Sequence, residues 1–185
     1  HEFWIIFMKG MPKLVMLAEF SGESEVEAYG KALAAEKSLK ALNLDTKISM
    51  PGYDTEKYWT IRRESFNLLR EKIKNLRTAP FIDDIIVRPE HLSQFLPQLY
   101  SILDGYPIIY TIAGHVGDGN FHIIPLMDLD NPQAKSFIVQ IGRRVYDLVI
   151  KFEGSISAEH NDGLIRSPYL ERFFGINGKT LNSHS

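Results

Sequence analysis

Two runs rich in β-branched and aromatic residues, 107–114 and 121–126, flank the tetrapeptide Gly117-Asp118-Gly119-Asn120. Val, Ile, Thr, Tyr and Phe favour strands, while Gly, Asp and Asn accept the backbone conformations that reverse a chain. Such a loop between such runs predicts an antiparallel hairpin. With the loop at residues 117–120, Val116 pairs with Phe121 and His115 with His122. Opposed residues share a sheet face with Cβ atoms ~5 Å apart. Two imidazoles so placed can share a divalent cation at ~2.0–2.1 Å. The competing reading is a glycine-rich turn that two histidines flank by chance. Val116 and Phe121 point to the other face, where helices can cover them.

The rest of the chain supplies those helices. Residues 11–20 read as a strand, and 23–42 as a helix from their Ala, Glu, Lys and Leu at helical spacing. After a Pro51-Gly52 loop, Thr55 can cap a helix running to about residue 76 that carries Arg62. Residues 81–87 read as a strand and 90–103 as a helix that tolerates Pro97 as a kink. A helix follows over about 131–151, then a short strand at 154–158 and a last helical piece at 169–174. This order predicts an α+β domain, an antiparallel sheet with helices on one face on a ferredoxin-like plan.

Composition narrows the chemistry. With 185 residues, 44% of them hydrophobic, the chain can build one ordinary globular core. A net charge of −2 gives no reason to expect nucleic acid as a partner. Cysteine is absent, which leaves His, Asp and Glu as metal ligands. The apolar run at residues 3–8 is too short for a membrane span of ~20 residues. The chain opens on His1 rather than Met and is expected to be a fragment, with residues 182–185 a tail or tag remnant.

A third ligand for the hairpin histidines is expected from Ser155-Ile156-Ser157-Ala158-Glu159-His160, a strand running toward a site. His₂Glu with an open position is a catalytic zinc pattern. Neighbours on a regular strand face opposite ways, so Glu159 and His160 can serve one site only if the strand bends. The turn-prone Asn161-Asp162-Gly163 triplet provides for that. The alternative is an exposed polar strand end.

Taken together, His115-Val-Gly-Asp-Gly-Asn120-Phe-His122 and Ser157-Ala-Glu159-His160-Asn-Asp-Gly-Leu-Ile-Arg166-Ser-Pro-Tyr-Leu170 resemble the C-terminal domain of FAD-linked oxidases. These are flavoproteins of the vanillyl-alcohol-oxidase type, among them D-lactate, glycolate and D-2-hydroxyglutarate dehydrogenases. Trp59-Thr-Ile-Arg62-Arg63-Glu64 and Pro80-Phe-Ile-Asp-Asp84-Ile-Ile-Val-Arg-Pro89 fit the same family in the same order. The resemblance covers about residues 14–175, within a domain expected over 11–175.

The resemblance implies a cap over a flavin ring. It implies a divalent cation, usually zinc, held by His115, His122 and Glu159, with Asn120 and Glu159 also on the cofactor side. It implies Arg62 as a clamp on the substrate carboxylate, against the plainer reading of a solvated helix face or an ion pair with Glu64 or Asp84. His160 is implied as the base that takes the hydroxyl proton from a 2-hydroxy acid while hydride passes to flavin. Imidazole, with an unperturbed pKa near 6.5, suits that task. Ile82 stands where metal-dependent members carry a lysine, Ile124 where they carry a polar residue, and Asn161 where they carry glycine. These differences point away from a dicarboxylate and toward a D-lactate- or glycolate-like substrate. The Arg166-Ser-Pro-Tyr ending leans toward members fused to an iron–sulfur domain.

No glycine-rich pyrophosphate-binding segment occurs in the chain. FAD is therefore expected to be bound mainly by an N-terminal domain of the same protein, with this piece inactive alone. A cytoplasmic location is expected, with a peripheral membrane or electron-transfer partner and a homodimer also compatible with the family. Two further readings stand beside this one: a stand-alone metal-dependent hydrolase, and a non-catalytic binding module.

Overall fold

The computed structural model describes residues 15–50, 55–60, 75–161 and 163–174. The chain divides into two units, His1–Ser65 and Phe66–Ser185.

In the first unit, helix α1 spans Glu25–Lys40. Ser24 caps it by accepting the Glu27 N–H at 3.3 Å, and the Glu27 carboxylate turns back to the Glu23 N–H at 2.9 Å. This reciprocal arrangement satisfies amides that have no partner inside the helix. Nothing on α1 is buried, so propensity, the cap and i,i+4 pairs such as Glu27–Lys31 hold it. The strand expected at 11–20 is corrected where it can be seen: residues 15–20 carry no regular structure. A strand needs a ladder partner, and none pairs with this segment among the described residues. Residues 55–60 are helical as expected, whereas 75–76, the expected end of that helix, are not; Arg62 and the rest of 61–74 lie outside the described residues.

The second unit is built on a sheet centred on β4. Its strands are β1 (Arg77–Thr78), β2 (Ile85–Ile86), β3 (Ile109–His115) and β4 (Asn120–Met127). All pair with β4 antiparallel: β3 along one edge, β1 and β2 at opposite ends of the other. β1 and β2 are therefore one interrupted edge strand. Six residues, 79–84, lie between them opposite only four of β4, 122–125, so the chain bulges and turns through Asp84 at φ +63°. The strand expected over 81–87 shortens to Ile85–Ile86 for this reason. On the outer side, Ile86 forms a single antiparallel bridge with Ser155. The strand expected at 154–158 goes no further, because the Ser155 hydroxyl donates to the Ser157 carbonyl at 2.6 Å and accepts the Ser157 N–H. That local turn competes with the ladder.

Across the sheet the order is Ser155, β1/β2, β4, β3. With helices α2 (Leu92–Leu103) and α3 (Ala134–Lys151) in the two crossovers, this is the ferredoxin-like plan predicted. Phe95, Leu99 and Leu103 of α2 and Ile141, Val145 and Val149 of α3 recur at helical spacing and are buried with Ile85, Phe121 and Ile123. Pro97 is accommodated inside α2. Helix α4 (Gly163–Phe174) begins earlier than the 169–174 expected.

Side chains alternate across β4. Phe121, Ile123 and Met127 enter the core under the helices. Asn120, His122, Ile124 and Leu126 take the opposite face.

The hairpin register differs from the expected one. Ala113 opposes His122, and His115 opposes Asn120. The loop is Val116–Gly119, not 117–120, because Val116–Asp118 form a 3-10 turn closed by Gly119 at φ +73°. A Cβ at Gly119 would collide with the Val87 carbonyl, the same residue whose N–H donates to the Gly119 carbonyl at 3.0 Å. Only glycine fits there. Each strand end moves by one residue, so facing is preserved. His115 and His122 still share a face, but as diagonal neighbours.

Candidate metal and substrate site

β4 presents His122 on the face away from the helices, and two consecutive aspartates organise what surrounds it. The Asp83 carboxylate meets His122 Nδ1 at 3.0 Å. This turns the other ring nitrogen, Nε2, to the Glu159 carboxylate, 3.0 Å away. His160 Nε2 approaches the same Glu159 oxygen at 3.5 Å. Two imidazole nitrogens and one carboxylate oxygen thus converge.

Asp84 explains how Glu159 and His160, adjacent in sequence, reach one place. Its side chain is fully buried and accepts the backbone N–H groups of Ala158 (3.0 Å), Glu159 (3.1 Å) and His160 (2.9 Å). Three successive amides wrapped around one carboxylate force a corner, the bend the sequence required. Burial alone pushes the Asp84 carboxyl up, but the amides of His160, Ala158 and Glu159 and the Asn120 side chain pull it below its ordinary value. The corner is completed by Asn161 at φ +61°, a conformation glycine adopts freely and asparagine tolerates. Arg166, 8% exposed, fastens the arrangement by donating to the carbonyls of Asn161 and Asp83.

His115 is exposed, its ring centroid 6.4 Å from that of His122. Asn120 is buried, its amide donating to Asp84 at 3.1 Å and to the Ile85 carbonyl at 3.3 Å. Its Oδ1 is buried without a hydrogen-bond partner among the described residues. Ile82 is fully buried in the core, whereas Ile124 is half-buried on the His122 face.

Sequence reasoning missed the work of Asp83, Asp84 and Arg166. The signal was present: two adjacent carboxylates inside the apolar run Phe81-Ile82-Asp83-Asp84-Ile85-Ile86-Val87 demand partners once that run is buried.

The donors fit a divalent cation. Asp84, His122, Glu159 and His160 each place a ligand atom within 4.8 Å of the others. Asp84 is already saturated by amides, which leaves His122, Glu159 and His160 as the groups with atoms to offer. Imidazoles sharing a tetrahedral ion at ~2.0–2.1 Å stand with centroids roughly 5 Å apart. His122 and His160 are at 5.2 Å, closer to that spacing than His115 and His122.

A match to the family described as FAD linked oxidases, C-terminal domain, spans residues 8–183. The chain belongs to this family. It is 30% identical over 168 residues to a D-2-hydroxyglutarate dehydrogenase of Pseudomonas putida, covering 87% of this chain and 16% of that protein. A D-2-hydroxyglutarate dehydrogenase of Escherichia coli is 28% identical over 166 residues, covering 86% of this chain and 16% of its own length. The glycolate oxidase subunit GlcD of Bacillus subtilis is 26% identical over 99 residues, or 54% of this chain and 21% of that subunit. The chain thus spans well under half the length of these relatives. Among the described residues of this FAD linked oxidase domain, no helix is long and apolar enough to cross a membrane.

Proposed function

We propose that the chain is the substrate- and metal-binding cap of an FAD-dependent dehydrogenase that oxidises a 2-hydroxy acid to the 2-oxo acid. The observation that carries this is the meeting of His122 Nε2 and His160 Nε2 on one Glu159 oxygen, at 3.0 and 3.5 Å. The relatives' names support the substrate class, since hydroxyglutarate and glycolate share the 2-hydroxy acid head.

In this reading His122 and Glu159 hold a divalent cation, zinc by the chemistry of the donor set, and His115 turns in from the same face as third ligand. FAD is held mainly by an N-terminal domain of the same protein. A bound cation would supply Lewis acidity that lowers the pKa of a coordinated hydroxyl, and bound flavin would supply the two-electron acceptor for the α-hydrogen. His160, 58% exposed and with its Nε2 3.5 Å from the same Glu159 oxygen, is left uncoordinated in this reading and takes the hydroxyl proton at Nε2. The carboxylate clamp is assigned to Arg62 on the family resemblance alone, a task that suits its planar fork. Ile124, beside His122 on the site face, favours a small apolar side chain on the substrate. A second reading makes His160 the third ligand, and the 5.2 Å spacing of its ring from His122 favours it.

Zinc titration of the chain against a chromophoric chelator tests the metal reading. One ion is expected to bind, and Glu159→Ala or His122→Ala is expected to weaken it by more than about 100-fold, beyond what supporting residues contribute. Binding that ignores both substitutions contradicts it. His115→Ala and His160→Ala in the same titration decide which imidazole completes the set.

A further inference from the structure

We propose that Asp83 is a positioning residue for this donor set, fixing the His122 ring so that Nε2, and not Nδ1, is presented to the ion. The inference rests on the metal reading above and extends it to a residue that offers the ion no ligand atom.

An imidazole can bind through either nitrogen, and its ring can flip about the Cβ–Cγ bond. The nitrogen that is presented depends on what holds the other. Here Asp83 Oδ1 stands 3.0 Å from Nδ1, and the two side chains are 27% and 18% exposed, partly screened from competing water. Both partners are held from behind. His122 is set by its register against Ala113 in the longest ladder of the sheet. Asp83 is held through its own backbone, its carbonyl accepting the Arg166 guanidinium at 2.7 Å. The next residue, Asp84, is turned to φ +63° and anchored by the amides of residues 158–160. The break between β1 and β2 thereby sends two adjacent carboxylates to different halves of the site. Asp84 places Glu159 and His160, and Asp83 aims His122 at them.

The test compares zinc affinity, the visible spectrum of the cobalt-substituted chain and the unfolding midpoint of the metal-free chain. Asp83→Ala is expected to weaken zinc about 10–100-fold and to alter the cobalt ligand-field bands, with the metal-free midpoint close to that of the original chain. Asp83→Asn keeps an oxygen to accept from Nδ1–H and is expected to restore the cobalt spectrum and most of the affinity. The inference is overturned if Asp83→Ala binds zinc as tightly as the original chain while His122→Ala does not. It is also overturned if affinity falls only in step with the midpoint, in Asp83→Ala and Asp83→Asn alike. If His122→Ala binds zinc as the original chain does, the metal reading itself fails, and this inference with it.

Discussion

Asp84→Ala is expected to lower the unfolding free energy by about 3–5 kcal/mol, the scale for removing one side of a buried charged contact. The substitution leaves three backbone N–H groups and the Asn120 amide without their acceptor. It also leaves the Arg166 guanidinium, 3.7 Å from the carboxylate, facing an apolar gap. A donor orphaned away from water costs ~1–3 kcal/mol, and less where solvent can reach it, as at the part-buried amides of residues 158–160. Urea unfolding reads the effect as a fall in midpoint at unchanged slope. The pH dependence carries a definite sign. Because the folded carboxyl lies below its ordinary value, its contribution is full above the unfolded aspartate pKa of ~3.9 and is lost as pH falls through the folded value. The gap between the original chain and Asp84→Asn should therefore be constant near neutrality and close only below about pH 4. A loss under about 1 kcal/mol for Asp84→Ala would show that the corner at residues 158–160 stands without it.

The second large effect is on turnover. In the full-length protein, His160→Ala is expected to lower kcat by about 10²–10⁴-fold, the usual contribution of a positioned general base. Metal content should stay near that of the unaltered enzyme. A metal-free His160→Ala enzyme would instead make His160 a ligand, as its spacing from His122 allows. The two outcomes are separated by metal analysis of the same sample.

The sequence made the scaffold legible where periodicity was strong. The core stripes of α2 and α3 and the β3–β4 hairpin follow from alternation and helical spacing, and they stand close to where those patterns put them. Register was a harder matter. It turned on whether Asn120 closes the loop or opens β4, and the left-handed Gly119, pressed against Val87, decides for the latter. That contact is between segments far apart in sequence, so no local pattern reveals it. The same holds for the interrupted edge strand. Residues 81–87 have the composition of a continuous strand, yet Asp84 is drawn out of it by amides some 74 positions away. At the site, His122, Glu159 and His160 were legible as chemistry-bearing residues. Their support was not, because a carboxylate that binds backbone amides leaves no mark on the residues it binds.

The proposed role of this cap is flavin-linked oxidation of a 2-hydroxy acid. The direct measurement is anaerobic mixing of the full-length, FAD-loaded protein with a panel of D-2-hydroxy acids, following the visible absorbance of the flavin. Bleaching is expected with at least one short-chain member, slowed by prior treatment with a chelator and restored by zinc. Flavin that stays oxidised with every hydroxy acid in the panel, in metal-replete protein, would contradict it.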